Sequence, residues 1–234
     1  MVPMHSIYTL KPNGRKKTRM VCQGDKERDA VDVPTSSPTL SREGMRMVIF
    51  SLARFQWTLQ SGDVPTAFLQ QDPRIWQKMG REVYVWAPKS TPWAGSLIRL
   101  VKAVYGLRDA PLMWYLTLRD WFTRQGWRVS EWDNSVFLKY GAEGNLIGIC
   151  GVATDDVLWG GVAEVHTDFD NFQRKCGVKE WETGRGKRVW YVGSDLAQFS
   201  WGISVSQEAY CRAIVVPESR GQEPSDNMTA EEIR

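Results

Sequence analysis

The sequence predicts an α+β fold in which antiparallel strands pack on helices. Three observations carry that expectation. A strand-like run over residues 7–22 is interrupted by Asn13-Gly14, a strong hairpin signal. Two apolar runs, 146–152 and 157–162, flank the short insert Ala153-Thr154-Asp155-Asp156 and read as a second hairpin with an acidic tip. Two stretches, 41–56 and 111–126, carry apolar residues at helical spacing.

Taken along the chain, the first hairpin is followed by a polar stretch with Pro34 and Pro38, which reads as loop. Ser41 is placed to cap a helix whose period runs through Met45, Val48, Ile49 and Leu52. Residues 57–64 return to a strand pattern, as do 83–86 and 97–101. Pro111 suits the first turn of the next helix, where its missing N–H costs nothing. Trp114, Leu118, Trp121 and Phe122 form that helix's apolar stripe, and Gly126 stands where it should stop. A further helix is expected near 164–175, with strands at 189–192 and 202–205. Residues 217–228 are rich in Pro, Ser, Gly and acids and read as a linker. Thr229-Ala230-Glu231-Glu232 then gives a capping-box pattern, so 217–234 is expected to be a polar linker and the start of a truncated helix, as in a fragment of a longer chain.

Bulk properties narrow the classes. At 234 residues with 42% hydrophobic and 24% charged residues, the chain can bury a sizeable core and is expected to be soluble. It shows neither a signal-peptide run nor a span of membrane length, so an intracellular protein, cytoplasmic or nuclear and not secreted, is expected, with no membrane partner. Cys22, Cys150, Cys176 and Cys211 fit no zinc spacing and are expected to be reduced thiols. With only His5 and His166, a histidine triad or histidine-rich metal site is disfavoured. A formal charge of +3 does not by itself indicate a polyanion partner, but residues 1–28 hold seven Lys/Arg against Asp25 and Glu27. The twelve Trp read first as packing residues and second as stacking platforms for nucleobases.

An Asp-Asp pair is most often a solvated turn. Here the apolar flanks make it the tip of a rigid hairpin, and a tight turn breaks the strand alternation that would send neighbouring side chains apart. Asp63 ends another strand-like stretch. If those strand ends meet, their carboxylates can converge on hard divalent cations, which prefer oxygen ligands. Two such ions suit in-line phosphoryl displacement, chemistry that needs carboxylates and no histidine. Spacing alone leaves the convergence open.

Longer motifs add a resemblance. Asp63-Val64-Pro65-Thr66-Ala67-Phe68-Leu69-Gln70 resembles the Asp-Val-Lys-Thr-Ala-Phe-Leu motif of copia-type long-terminal-repeat retrotransposon reverse transcriptases. Val104-Tyr105-Gly106-Leu107-Arg108-Asp109-Ala110-Pro111-Leu112-Met113-Trp114-Tyr115 is similar to that family's Leu-Tyr-Gly-Leu-Lys-Gln-Ala-Pro-Arg-Ala-Trp-Tyr. Lys17-Thr18-Arg19-Met20-Val21, Asp133-Asn134-Ser135-Val136-Phe137, Tyr191-Val192-Gly193 and Ser206-Gln207-Glu208-Ala209-Tyr210 resemble further elements, and Ala153-Thr154-Asp155-Asp156 stands where the family has Tyr-Val-Asp-Asp. The matches keep the family's order over roughly residues 2–215.

The resemblance implies a reverse-transcriptase core over 1–216. A palm of antiparallel sheet packed on helices would span about 39–70 and 110–205, and a fingers subdomain about 1–38 and 71–109; most of the thumb and the ribonuclease H are missing. It implies RNA-directed DNA polymerase activity in DNA transposition and integration, with two Mg²⁺ ions (Mn²⁺ as an alternative). The implied partners are an RNA or DNA template with primer, deoxynucleoside triphosphates and the remainder of a retrotransposon polyprotein. By the same resemblance, Asp63, Asp155 and Asp156 are the catalytic carboxylates, which with the Val64 backbone hold the metals. Lys17, Arg19, Phe68, Tyr105 and Gly106 bind the nucleotide, Phe68 as a gate against a 2′-hydroxyl. Arg108, Tyr191, Val192 and Gly193 contact primer or template, with Arg99 and Lys102 as weaker backbone contacts.

Four positions depart from the family pattern. Ala153 replaces a Tyr, Thr154 a Val and Pro65 a Lys, while Asp109 puts a negative charge where Gln is usual, near the expected path of a polyanion. Ala153 and Asp109, with the abrupt end of the sequence, support an alternative, a degenerate or domesticated remnant that at most binds nucleic acid. A two-metal nuclease shares the carboxylate chemistry but not the motif around Phe68.

Overall fold

A computed structural model describes residues 1–10, 14–27 and 33–214. Asn13, Arg28 and the expected linker and helix start at 217–234 lie outside the described residues. In chain order, β1 (Val2–Leu10) and β2 (Lys16–Cys22) precede α1 (Arg42–Arg54), β3 (Gln60–Asp63) and the short α2 (Pro73–Lys78). β4 (Tyr84–Trp86), β5 (Leu97–Arg99), α3 (Ala110–Arg124), β6 (Arg128–Val129) and β7 (Val136–Tyr140) follow. Next come β8 (Leu146–Ala153), β9 (Asp156–Gly161), α4 (Ala163–Cys176) and β10 (Glu182–Thr183). β11 (Arg188–Tyr191), β12 (Ser194–Phe199), β13 (Gly202–Ser206) and α5 (Glu208–Ala213) end the described part.

The strands form three sheets. A six-stranded sheet runs β10-β3-β9-β8-β7-β6, with every pairing antiparallel. A four-stranded sheet runs β2-β1-β4-β5, in which β1 and β4 are parallel, and a three-stranded sheet runs β11-β12-β13. The chain is therefore a mixed α+β protein with mainly antiparallel sheets.

Local sequence explains the boundaries. The Ser41 hydroxyl accepts from the Gly44 amide, so α1 starts where its cap allows. Asp133 holds that cap in turn, accepting from the Ser41 amide and hydroxyl at 2.9 and 2.7 Å and from the Ser135 amide at 2.8 Å. One carboxylate thus joins the start of α1 to the loop before β7. α3 starts with Pro111 in its first turn, and Gly126 follows its end at φ +79°, which glycine reaches without a Cβ clash.

β8 and β9 are buried on both faces, which is why they read as continuous apolar runs. One face carries Cys150, Val152, Val157 and Trp159 against α3 and α4, where Phe169 stacks on Trp159 at 3.9 Å. The opposite face carries Ile149 and Leu158 against Val48 and Leu52 of α1 and Val189 and Leu196 of the three-stranded sheet. A Cβ at Gly160 would sit 2.4 Å from the Leu52 side chain, so this glycine lets α1 approach closely. Burying a residue such as Leu52 contributes about 1.5–3 kcal/mol.

The acidic insert is shorter than the sequence suggests. Ala153 and Asp156 pair across the hairpin, so the turn itself is Thr154-Asp155. All four cysteines are free, three of them buried. Among the described residues, no helix is long and apolar enough to cross a membrane.

Candidate active site

β3 and β9 are neighbours in the sheet, and their register sets Asp63 opposite Asp156. Asp155 occupies the turn that leads into β9, and its carbonyl accepts from the Val64 amide at 2.8 Å. The three carboxylates picked out in the sequence therefore lie together where β3 ends and β9 begins, at one rim of the six-stranded sheet, tied by backbone to the buried Val64.

Their electrostatics report that proximity. Burial, then the charges of Asp155 and Asp63, push the Asp156 carboxyl up to about 6. Asp155 is also raised, first by partial burial; its own backbone amide opposes this, Asp63 adds to it, and Lys17 and Arg19 pull it down. Among the described residues, no three acidic, cysteine or histidine side chains form a ready-made coordination cage. The donor chemistry still fits a hard cation, because oxygen ligands crowded until they repel one another are what a divalent ion relieves.

The basic pair on β2 faces this rim. Lys17 and Arg19 are two residues apart on one strand, and both charges reach Asp155. The Arg19 guanidinium lies 5.9 Å from the Tyr105 ring centroid, and that ring lies 5.2 Å from Phe68. Burial raises the Tyr105 hydroxyl; Arg19 lowers it, and Asp155 and Asp63 add to the rise. Phe68 is half-buried and packs against two core clusters, so it is a core residue with one side toward Tyr105. A cleft of about 690 Å³ has Lys17, Arg19, Thr66 and Tyr105 among its walls, a size suited to a small-molecule ligand.

Other expected residues serve packing. Gly106, at φ +88°, passes so close to the end of β2 that a Cβ would meet the Cys22 carbonyl at 2.0 Å, and its own carbonyl accepts from the Gly24 amide. Tyr191 is buried, and its hydroxyl donates to the Gly151 carbonyl at 3.3 Å, while the next residue, Val192, is exposed. Arg108 is exposed before α3. Arg99 pairs with Glu82 at 3.5 Å, and the Lys102 ammonium bonds the Leu69 carbonyl, so neither is an uncommitted backbone contact.

Asp109 corrects an expectation. It is fully buried, with Oδ2 3.0 Å from Nε of Arg81, which also lies 2.8 Å from Glu27. Its charge is turned into the interior and does not face a passing polyanion. Pro65, which stands where the family has Lys, offers its carbonyl to the Gln70 side-chain amide at 2.6 Å.

The bonding roles of two supporting residues are not legible in the sequence. Gln70 bridges the Pro65 and Cys176 carbonyls behind Asp63. Trp114 donates its indole N–H to the Thr154 carbonyl at 2.6 Å. Two β-branched residues with positive φ flank the carboxylates in sequence, Thr66 (+52°) after Asp63 and Thr154 (+60°) before Asp155, and Val192 (+44°) is a third among the described residues. Such conformations persist only where surroundings impose them, and they collect at functional sites.

The sequence model of the family described as Reverse transcriptase (RNA-dependent DNA polymerase) matches residues 1–220. The chain belongs to this family. Within it, the chain is 29% identical over 217 residues to the Retrovirus-related Pol polyprotein from transposon RE1 of Arabidopsis thaliana, and 31% over 218 residues to that from transposon RE2. Each match covers 87% of this chain and 14% of the relative. The polyprotein from transposon TNT 1-94 of Nicotiana tabacum is 28% identical over 161 residues, covering 65% of this chain and 12% of the relative. This reverse-transcriptase chain thus spans a small part of the curated relatives it matches. No solved structure matches it.

Proposed function

We propose that the chain is the polymerase core of a copia-type retrotransposon reverse transcriptase, adding deoxynucleotides to a primer 3′-end on an RNA or DNA template. The observation that carries this reading is the opposition of Asp63 and Asp156 with Asp155 at the adjoining turn, beside Lys17 and Arg19. In this reading the six-stranded sheet and its helices are the palm and the four-stranded sheet is the fingers.

Asp63, Asp155 and Asp156, with the backbone near Val64, would hold two Mg²⁺ ions. When bound, the ions supply positive charge to the attacking and leaving oxygens. In the reaction the primer 3′-hydroxyl gives its proton to solvent water and its oxygen bonds to the α-phosphorus, while the bond from that phosphorus to the bridging oxygen breaks and pyrophosphate leaves. Lys17 and Arg19 take the triphosphate, where a guanidinium can pair two oxygens. Phe68, braced by Tyr105, lies beneath the sugar and crowds a 2′-hydroxyl. Val192 and Gly193 seat the primer end.

A second reading, a remnant that binds nucleic acid without catalysis, draws on Ala153. It pairs with Asp156 yet offers no ring to support a primer terminus. Primer extension on an RNA template by the purified chain separates the two. The polymerase reading expects Mg²⁺-dependent incorporation that Asp155→Asn abolishes. Salt-sensitive binding of primer–template with no incorporation favours the remnant.

A further inference from the structure

The turn that carries Asp155 is held in a conformation its sequence does not favour. Thr154 is β-branched yet stands at φ +60°, where L side chains are rarely found. Two successive carbonyls of the turn are fastened. The Asp155 carbonyl accepts from the Val64 amide at 2.8 Å, which ties the tip to the exit of β3. The Thr154 carbonyl accepts from the Trp114 indole at 2.6 Å, which ties it to α3.

Trp114 suits that task. It is 2% exposed, and its ring sits in the core that joins α3 and α4 to the sheet. That core lies on the opposite face from Leu158 and, by strand alternation, from Asp156. The indole N–H therefore acts on the backbone of the turn, through the Thr154 carbonyl, and lies across the sheet from the Asp156 side chain. Without its N–H, the peptide between Thr154 and Asp155 is free to rotate and relax the unfavourable φ, carrying Asp155 with it.

We propose that Trp114 is a positioning residue whose indole N–H on the Thr154 carbonyl keeps the Asp155 and Asp156 carboxylates beside Asp63. The proposal rests on the polymerase reading for its consequence and on the hairpin geometry for its cause.

The test removes the donor while keeping the ring, by Trp114→Phe and by benzothienylalanine at position 114, which matches the indole's shape without an N–H. Three readouts are taken on the full chain: amide hydrogen exchange of the 153–156 hairpin without metal, Mn²⁺ affinity by electron paramagnetic resonance, and primer extension. With the melting temperature held, the hairpin amides should exchange about tenfold faster. The Mn²⁺ dissociation constant should rise roughly tenfold, the scale seen when supporting groups behind metal ligands are lost. Turnover should fall with KM for deoxynucleotide unchanged, and adding Thr154→Gly, which makes the positive φ easy, should restore part of it. Unchanged hairpin exchange and Mn²⁺ affinity in a folded variant overturn the proposal; if Trp114→Phe does not fold, the benzothienyl isostere decides. Failure of the polymerase reading looks different: the unaltered chain neither binds Mn²⁺ nor extends a primer, while hairpin exchange still responds to the lost N–H.

Discussion

Asp63 and Asp156 stand directly opposite each other on β3 and β9, one pair beyond Gly62 and Val157. Like charges in that relation destabilise a sheet. Behind it, Leu158 and Val157 of β9 are buried opposite Ser61 and Gly62, and a shift of register would turn them out of the core, so the chain accepts the repulsion rather than shifting. A site that binds cations gives the repulsion a use.

The repulsion should appear as a pH dependence. Asp156 is raised from 3.8 to about 6, so the folded chain holds this proton to a higher pH than the unfolded chain does. Its contribution is therefore fully present below about pH 4 and is lost as pH rises through about 6. Asp156→Asn should remove that slope and stabilise the metal-free protein at pH 7.5 by about 1–2 kcal/mol after solvent screening. Urea unfolding at pH 5 and pH 7.5 measures it.

The buried group around Arg81 predicts a large loss of stability. Glu27 and Asp109 both depend on its one guanidinium, which also lies 5.4 Å from the Trp76 ring centroid. Arg81→Met strands two carboxylates in the interior and should cost about 3–5 kcal/mol. Asp109→Asn leaves the Glu27 pair in place and should cost clearly less. Denaturant midpoints of the two variants give the order, and equal values would show that the group does not act as drawn.

Phe68 gives a prediction about sugar choice. Its ring packs 5.2 Å from that of Tyr105, which lines the cleft together with Lys17 and Arg19. Phe68→Ala opens space beneath the sugar and should cut discrimination against ribonucleotides by roughly tenfold or more, about 1.4 kcal/mol. The ratio of kcat/KM for the two nucleotides reports it, and an unchanged ratio would leave Phe68 as a core residue only.

Much of this was legible in the sequence because it is local. The Ser41 cap, the apolar stripe through Trp114 and Phe122, and the doubly buried β8 and β9 each write their pattern in neighbouring residues. β12 did not, because Ser194 and Gln198 are polar residues on its buried face and blur the alternation. β7 was matched as a motif but not read as a strand, although Val136 and Phe137 are both buried. At the site, the three aspartates and the Lys17/Arg19 pair were visible as residue types. What was not visible was the pairing of β3 with β9, strands nearly a hundred residues apart in sequence, which alone makes Asp63 and Asp156 partners. The inward turn of Asp109 was hidden for the same reason: its partner Arg81 is fixed by tertiary packing and not by spacing.

The claim that Asp63, Asp155 and Asp156 are a metal centre is tested most directly by soaking crystals of the chain in Mn²⁺ with primer–template and a deoxynucleoside triphosphate. Anomalous scattering then locates the ions. The account predicts two Mn²⁺ peaks in contact with these three carboxylates, both lost in Asp155→Asn. Peaks elsewhere, or an empty rim between β3 and β9 with nucleotide bound, would contradict it.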